Sequence, residues 1–428
     1  MIVSGVRQRR TPSPALLRFQ APLSLSDTQI RRRIGWIWGL MFLNVLPYSA
    51  KSVLVPMPIS IGKVVTECAL IVALILALSI NRKVLVRPNL FLAIMTLLCV
   101  TSVMMSVRGY FGLGSFVRAG RLVEMVAVLW LLTPWWGRKD LLFLQFHRRA
   151  QAAVLVVVAA GAILFHGRAF SEEGASRLGG VIWPVPPTQV AHYAAILAGT
   201  TIVLWFVSLI RPRTAAVVTL LSVCVLLLTH TRTALVALLM GVLVAGVSLF
   251  LSRQRVRKFL AVTVVVGGLI ALSFAPFLSS WFLRGQSSSQ LTNFTGRATV
   301  WSQLEAQPRT EVNTIFGYGM SNDSFNGLPI DSSWLSTYLD QGLFGDVLDG
   351  AMLLALLLLA LLSPRGPRRA VALFMVTYCL IASFTETGLG EASPYLLDLS
   401  MAASVLMMPL RPAAPSPPTL TLPRAGTA

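Results

Sequence analysis

The sequence predicts an all-α polytopic membrane protein with about twelve transmembrane helices and a large external loop that contains short amphipathic helices. Two observations support this fold class. Hydrophobic residues make up 55% of the 428 residues and charged residues only 12%, whereas a soluble domain has roughly 25% charged residues. Apolar runs of bilayer-spanning length, roughly 20 residues, recur along the whole chain. A soluble protein and a protein with a single anchor are therefore excluded.

The apolar runs divide the chain into five parts. Residues 1–33 are predicted to be a disordered cytoplasmic tail, 34–275 to hold transmembrane helices 1–9, and 276–342 to form the large external loop. Residues 343–410 are predicted to hold helices 10–12, and 411–428 a second cytoplasmic tail. The twelve runs are about 34–52, 59–80, 88–107, 119–136, 150–165, 189–210, 214–229, 233–251, 259–276, 343–362, 370–385 and 394–410.

The distribution of charge predicts the orientation. The net charge is +20, which in a soluble protein would suggest nucleic-acid binding. Here the basic residues lie in short blocks between alternate spans, and most of the 36 lysines and arginines fall on the side of the tails. The positive-inside rule then predicts that both termini lie in the cytoplasm. Fourteen acidic residues, all except Asp27 and Asp140, are left in spans or on the outer face.

Two outer loops are long enough to carry a site. The first, 166–188, contains the stiff Gly-Gly-Val-Ile-Trp-Pro-Val-Pro-Pro segment, and the second is the large loop. Within the large loop, 296–307 is predicted to be a short amphipathic helix with Val300, Trp301 and Leu304 on one face. We expect this loop to cap the outer end of the helix bundle.

Four arginines stand at the outer membrane boundary, where charge is costly and is a functional hypothesis by default. They are Arg118, Arg121, Arg232 and Arg297. Together they suit a phosphate or diphosphate, because guanidinium forms forked, charge-assisted hydrogen bonds with such groups. Structural alternatives remain open: Arg232 could be an interfacial arginine that snorkels to the headgroups, and Arg121 could pair with Glu124 three residues on.

Carboxylates accompany these arginines in the second half of the loop and beyond it. They are Asp323, Asp331, Asp340, Asp346, Asp349, Glu386 and Glu391. Asp331 is singled out because it precedes two serines in Pro-Ile-Asp-Ser-Ser-Trp-Leu, a context that also suits a helix N-cap. The four histidines are scattered, and no metal-ligand spacing, P-loop or dinucleotide fingerprint is present. We therefore expect no metal and no cofactor.

The order of motifs over about 215–360 resembles the O-antigen ligase and polymerase superfamily of bacterial membrane glycosyltransferases. The motifs are Thr-Arg-Thr-Ala-Leu at 231–235, Gly-Arg at 296–297 with Trp301, and Ile-Phe-Gly-Tyr-Gly at 315–319. They continue with Asp-Ser-Ser-Trp-Leu at 331–335 and Gln-Gly-Leu-Phe-Gly at 341–345. Each motif is weak alone, and their order makes them specific.

This resemblance implies a C-type glycosyltransferase-like fold and a metal-independent reaction. A glycan would pass from a polyprenyl diphosphate carrier to an acceptor hydroxyl at the outer face of the bacterial cytoplasmic membrane, in which the protein would lie. Arg232 and Arg297 match the family's arginines and would hold the diphosphate, with Arg118, Arg121, Trp301 and Tyr318 expected to bind substrate. Asp331 stands where the family usually has a histidine that activates the acceptor, so the resemblance implies a carboxylate in that role.

The partners implied are the lipid-linked glycan donor, an acceptor that is a glycan, lipid or protein, and membrane lipids, but not nucleic acid. The motifs do not separate a ligase from a polymerase. A different class, a polysaccharide or lipid transporter without covalent chemistry, is disfavoured because no matching halves appear and the polar residues gather in a loop. A scaffold for other envelope enzymes is also open, and it predicts that alanine at Arg232, Arg297 and Asp331 is harmless.

Overall fold

The computed structural model describes residues 26–47, 54, 59–108, 110–138, 140–170, 177–250, 253–273 and 297–408. These residues form fifteen α-helices, one short 3-10 helix at Thr133–Trp135 and one two-stranded hairpin, Ser324–Phe325 with Leu328–Pro329. The predicted tail segments 1–25 and 411–428, and the first part of the large loop at 276–296, lie outside the described residues. The helices are α1 Asp27–Asn44, α2 Ile59–Ile80, α3 Leu90–Val107, α4 Leu113–Leu132, α5 Leu142–Leu164, α6 His166–Ala169, α7 Pro187–Phe206, α8 Pro212–Leu228, α9 Arg232–Leu249, α10 Gln254–Ser273, α11 Arg297–Glu305, α12 Glu311–Phe316, α13 Ser333–Leu362, α14 Pro367–Ala382 and α15 Pro394–Leu406.

Six of the described helices are long and apolar enough to cross a membrane. They are Ile61–Ile80, Leu90–Val107, Leu142–Leu164, Pro187–Phe206, Arg232–Leu249 and Ser333–Leu362. The chain is thus a multi-pass helical membrane protein, and the prediction of twelve spans is wrong. The apolar runs outnumber the membrane spans because some of the helices they form are shorter or more charged than a helix that spans the bilayer. For example, α8 and α15 have 17 and 13 residues, and α4 carries Arg118, Arg121 and Glu124.

Local sequence signals set several helix starts. Proline occupies the first turn of α7, α8, α14 and α15, where its missing N–H has no partner to lose and its fixed φ suits the helix. At the start of α1 the Gln29 N–H donates to the Ser26 hydroxyl, and the Ser26 N–H donates to the Gln29 side-chain oxygen. This capping box starts α1 at Asp27, so Asp27 and the arginines after it are helical although they were predicted to belong to the tail.

The core lies among α1, α5, α7, α9, α14 and α15. Phe374 of α14 fills a space made by two glycines: a Cβ atom at Gly199 would lie 2.0 Å from its ring, and one at Gly241 would lie 2.8 Å from it. Such small residues let membrane helices approach closely. Large apolar side chains such as Ile75, Leu220 and Val247 are more than half exposed, as expected of surfaces that face lipid rather than water.

Charge is also buried in the middle of this core. Asp398 of α15 lies 2.6 Å from Nε2 of His147 on α5 and 3.0 Å from Nε2 of His192 on α7, and all three side chains are 1% exposed. Trp38 of α1 donates to Nδ1 of His147 over 3.4 Å. Four helices are therefore tied together by one buried polar network, which we call the central triad (His147, His192 and Asp398).

The helices end in two groups, which we name by their composition. The arginine end contains the start of α1, the turns around Arg87 and Arg138, and the C-terminus of α15. Two hydrogen bonds connect these parts: Arg87 donates to the Met408 carbonyl over 2.7 Å, and Arg368 donates to the Gly137 carbonyl over 2.7 Å. The loop end contains the other helix termini, including the starts of α4, α9, α13 and α15, together with the segment 297–332.

A tight crossing supports the loop end. Gly342 interrupts α13 with a φ of 66° and a ψ of −166°, and the extended segment 317–319 packs against the residues just before it. The N–H groups of Tyr318 and Gly319 donate to the carbonyls of Leu339 and Asp340 over 3.0 and 2.9 Å. A Cβ at Gly317 would lie 2.3 Å from the Asp340 carbonyl carbon, and one at Gly342 would lie 2.4 Å from that of Ile315. The crossing therefore requires glycine at both positions.

Candidate functional site

The predicted residues Arg297 and Asp331 meet at the loop end. Arg297 opens α11, and its Nε donates to Oδ2 of Asp331 over 3.0 Å. Asp331 follows the hairpin in a left-handed conformation with a φ of 47°, and the Trp301 indole donates to the preceding carbonyl, that of Ile330, over 2.7 Å. Both side chains of the ion pair keep about a quarter to a third of their surface exposed, so the pair is open to a ligand.

Asp331 does not cap the helix that follows it. Ser332 occupies the N-cap of α13 and makes no side-chain capping bond. The prediction that Asp331 suits an N-cap is therefore wrong, because its carboxylate is bound to Arg297 instead. Because Arg297 holds this carboxylate, Asp331 is not available as a base while the contact stands.

A third segment joins this pair through Glu386. The start of α13 fixes it in place: the N–H of Ser333 donates to the Ser383 carbonyl over 2.9 Å, and the Ser333 hydroxyl donates to the Glu386 carbonyl over 2.7 Å. Burial raises the pKa of Glu386 to about 7, an effect that Arg297 and Arg177 oppose and Asp331 reinforces. Glu386 is thus an acidic group whose charge changes near neutral pH beside the two arginines.

Arg232 lies on the turn between α8 and α9, which is anchored on both sides. Arg177 donates to the Thr229 carbonyl over 2.9 Å and to the Thr231 hydroxyl over 3.1 Å. On the other side of Arg232, the Thr233 hydroxyl accepts from Thr385 over 2.8 Å. The turn therefore sits between the Arg177 segment and the segment that carries Glu386. We call Arg177, Arg232, Arg297, Asp331 and Glu386 the arginine cluster.

Arg118 and Arg121 line a neighbouring cavity of about 420 Å³, within the usual size range of small-molecule sites. Arg118 donates to the Met320 carbonyl over 3.1 Å. Arg121 donates to both the side chain and the carbonyl of Asn44 and lies 3.9 Å from Glu67. The alternative of a pair between Arg121 and Glu124 is not observed, since α1 and α2 supply the partners. Lys63 of α2 adds a third cation to the lining.

Two carboxyl groups face these cations across the cavity. Asp323 and Glu391 are hydrogen-bonded to each other, and both line the cavity. Burial raises the pKa of Asp323 and raises that of Glu391 well above its usual range. The Ser336 hydroxyl donates to Asp323 over 2.5 Å. A hydrogen bond between two carboxyl groups requires a proton on one of them, and the singly protonated form of the pair carries one negative charge.

The hairpin 324–329 connects the cavity to the arginine cluster. The N–H of Ile330 donates to the carbonyl of Asp323 over 2.9 Å, which brings the residues on either side of the hairpin together. Asp323 faces the cavity and Asp331 faces Arg297. The segment 386–391 likewise has Glu386 in the cluster and Glu391 in the cavity wall. The two sites are therefore adjacent and share two segments.

The other predicted substrate residues have packing roles. Tyr318 is 6% exposed and packs with Leu304, Ile330 and Leu339 in a small core beneath the loop. Its ring centroid is 4.4 Å from that of Tyr110. Trp301 supports the Arg297–Asp331 pair through the carbonyl of Ile330. Neither residue lines the cavity.

Sequence reasoning missed Arg177 and Lys63 as parts of a site. It named Glu386 and Glu391 among the outer carboxylates, but it predicted neither the place of Glu386 beside the arginines nor the pairing of Asp323 with Glu391. Their sequence contexts are ordinary: Arg177 follows a polar loop, and Glu391 lies in a Gly-Glu-Ala-Ser stretch. The signal that could have indicated the acidic members is their distribution: acidic residues are rare in this chain and cluster after residue 300. Asp340, Asp346 and Asp349, also singled out, lie inside α13.

No group of three or more His, Cys, Asp or Glu side chains in the described ranges could hold a metal ion. Searches against protein-family models and against curated proteins find no match. A function is therefore inferred from the geometry of the arginine cluster and the cavity, together with the resemblance of the motifs.

Proposed function

We propose that this protein is a membrane glycosyltransferase that moves a glycan from a polyprenyl diphosphate carrier to an acceptor hydroxyl. The convergence of Arg177, Arg232 and Arg297 at the loop end supports this proposal, because they come from three distant segments. A diphosphate offers several oxygens to forked guanidinium groups. Cations held in advance would stabilise the negative charge that develops on the leaving diphosphate, without a metal.

The resemblance to the O-antigen ligase and polymerase superfamily supports the choice of donor and acceptor: the glycan leaves the polyprenyl diphosphate and joins the acceptor hydroxyl. The matching motifs include the segments that carry Arg232 and Arg297, and the glycine motifs at 315–319 and 341–345 form the crossing that supports the loop end. In this proposal Asp331 sets the orientation of Arg297 through their ion pair. Its predicted role as the base that activates the acceptor would require that pair to open.

The proposed orientation has the loop end outside and the arginine end in the cytoplasm. Basic blocks at the arginine end favour the cytoplasmic side. A green fluorescent protein fused after residue 428 should fluoresce, because it folds in the cytoplasm, and alkaline phosphatase fused at the same place should be inactive. The reverse pattern would put the arginine cluster on the side opposite to the one proposed.

Turnover by purified full-length protein tests the activity. The substrate is a polyprenyl diphosphate that carries a fluorescent oligosaccharide, with a glycolipid acceptor and EDTA present. Arg297→Ala and Arg232→Ala should lower kcat/KM by roughly 100-fold to 1,000-fold, the scale seen when one preorganised donor is removed. Arg297→Lys should recover only part of this, because lysine keeps the charge but loses the fork.

Arg138→Ala is the matched control, since it removes an arginine from the arginine end, far from the cluster. It should keep wild-type turnover. Wild-type turnover in Arg297→Ala and Arg232→Ala would contradict the proposal and favour a scaffold. Absence of any transfer by the wild-type protein would also contradict it.

A transporter is the second candidate, and two observations favour it. The break of α13 at Gly342 and the buried central triad both have counterparts in transporters, which use discontinuous helices and intramembrane ionisable groups. Proteoliposomes distinguish the two functions: a transporter moves the labelled lipid-linked glycan across the bilayer without consuming it, whereas the transferase changes its covalent form.

A further inference from the structure

The cavity beside the arginine cluster has the features of a second binding site. It is formed by the C-terminus of α1, the first turns of α2, α4 and α7, and the segments 320–323 and 387–394. Its cations, Lys63, Arg118 and Arg121, come from α2 and α4, and its carboxyl pair comes from the two segments that also reach the cluster. A ligand in this cavity would therefore lie next to a diphosphate bound by the cluster.

Two buried oxygen atoms, from Asp340 and Gln341, line a small void next to the carboxyl pair. A small void of about 10 Å³ lies between Glu391, Asp340 and Gln341, about the volume available to one water molecule. Oδ1 of Asp340 and Oε1 of Gln341 have no hydrogen-bond partner among the described residues, and these side chains are 5% and 1% exposed. Two buried acceptors at a void of this size suit a bound hydrogen-bond donor such as water.

We propose that the cavity is the acceptor site of the glycosyl transfer, and that the Asp323–Glu391 pair takes the proton of the acceptor hydroxyl. This inference rests on the proposed function. The acceptor class is a sugar hydroxyl, because the lining mixes hydrogen-bonding and charged groups with few apolar ones. The pair replaces Asp331 as the base, since Asp331 is bound to Arg297 whereas the pair faces open volume.

The step balances without a further reactant. The acceptor oxygen forms a bond to the anomeric carbon of the donor glycan, and the bond from that carbon to the diphosphate oxygen breaks. The polyprenyl diphosphate leaves with the bonding electron pair and is held by the arginine cluster. The acceptor proton passes to the singly charged Asp323–Glu391 pair, which becomes neutral and returns the proton to water after the product leaves.

The cations give the cavity a further role. Arg118 and Arg121 are each fixed by a carbonyl, from Met320 and Asn44 respectively, so their charges hold the pair's negative charge in place. They counteract the effect of burial on the pair, and Arg118 acts on Asp323 while Arg121 acts on Glu391. The two arginines therefore favour the singly ionised form of the pair, the state that a base must have.

The test measures transfer and donor binding separately in the full-length protein. The wild-type kcat should rise with pH as the pair loses its proton. Asp323→Asn and Glu391→Gln should lower kcat by about 100-fold and remove this rise. Both variants should bind glycan-free polyprenyl diphosphate as tightly as the wild type. Asp331→Asn should do the reverse, weakening diphosphate binding while it keeps the shape of the pH profile.

Asp349→Asn is the matched control. This aspartate is also buried and accepts a hydrogen bond from Thr337 over 2.9 Å, but it does not line the cavity. It should keep the wild-type pH profile. Glu391→Asp keeps a carboxyl and should recover part of the activity with a shifted profile, which a purely structural role would not produce.

The outcomes separate this inference from the proposed function. If the wild type transfers glycan and both carboxyl variants keep its pH profile, the acceptor-site inference is wrong and the transferase stands. If both variants lose diphosphate binding as well, the pair belongs to the donor site and the inference is again wrong. If the wild type transfers nothing with this donor and acceptor, both proposals fall together.

Discussion

The two ends of the protein use the same residue types in opposite ways. At the arginine end, Asp27 and Asp140 form ion pairs of 2.6–3.4 Å with Arg31 and Arg138. Asp27 keeps 60% of its side chain exposed, and its hydrogen bonds with Arg31 and Arg138 lower its pKa. Asp27 is therefore charged at neutral pH, and the ion pairs of the two aspartates join α1 to the turn before α5.

At the loop end the acids are only partly exposed, and their charge is not fixed. Burial raises the pKa of Asp323 and of Glu391, and it brings that of Glu386 to about 7. The arginines nearby lower these values but do not cancel the effect of burial. Solvent exposure, rather than the number of opposite charges, therefore separates an end that closes the bundle from an end that could bind and transfer protons.

The largest effect is expected at the crossing that supports the loop end. Gly342→Ala places a Cβ 2.4 Å from the Ile315 carbonyl carbon at a φ of 66°, so the backbone must move. We expect most of the protein to be lost to aggregation, as measured by size-exclusion chromatography of detergent extracts. Gly350→Ala, in the same helix, has its closest neighbour at 3.9 Å and should purify like the wild type. Equal yields of the two variants would show that the crossing is not needed.

The central triad extends the comparison to a carboxyl group that is buried between two histidines. Asp398→Ala leaves His147 and His192 without their shared carboxylate, and a buried polar group that loses its partner costs about 1–3 kcal/mol. Denaturant unfolding in detergent should show this loss. Ser400→Ala is the control, because that hydroxyl bonds only to the Leu396 carbonyl of its own helix and should cost less than about 1 kcal/mol. Similar losses in both variants would contradict the triad's role as a clamp.

The next effect is a pH dependence of donor binding, which Glu386 at the loop end should cause. As pH rises through about 7, Glu386 loses its proton and adds a negative charge beside Arg177 and Arg297. Affinity for polyprenyl diphosphate should therefore fall, by roughly tenfold for one added charge, or about 1.4 kcal/mol. Glu386→Gln should remove this fall. Binding of the glycan-free carrier measured between pH 6 and 8 checks it, and an unchanged pH dependence in the variant would assign the effect to another group.

The smallest effect is expected at the arginine end. Asp27→Asn removes a carboxylate whose partners are exposed to solvent and screened by salt, and such pairs contribute about 0–1 kcal/mol. The midpoint of thermal unfolding should fall by no more than about 2 °C, and donor binding should not change. A large loss in this variant would remove the distinction between the two ends.

Much of the helical framework could be predicted from the sequence. The apolar runs coincide with helices, and the prolines at 187, 212, 367 and 394 mark helix starts. The number of spans could not be predicted in this way, because apolar composition does not set helix length. The segment predicted as an amphipathic helix, 296–307, contains α11, with Val300 and Leu304 buried as expected. Trp301 differs, since its indole supports the hairpin.

The candidate site divides in the same way. The sequence by itself determined that carboxylates concentrate after residue 300, where ten of the sixteen acidic residues lie, and that single arginines stand in the turn at 231–233 and at 297. It also provided the glycines at 317 and 342, whose positive φ angles no other residue adopts easily. Pairing was decided only by tertiary structure. Asp331 binds Arg297, Arg121 binds Asn44, and Asp323 is hydrogen-bonded to Glu391 because helix packing brings distant segments together and removes water from between them.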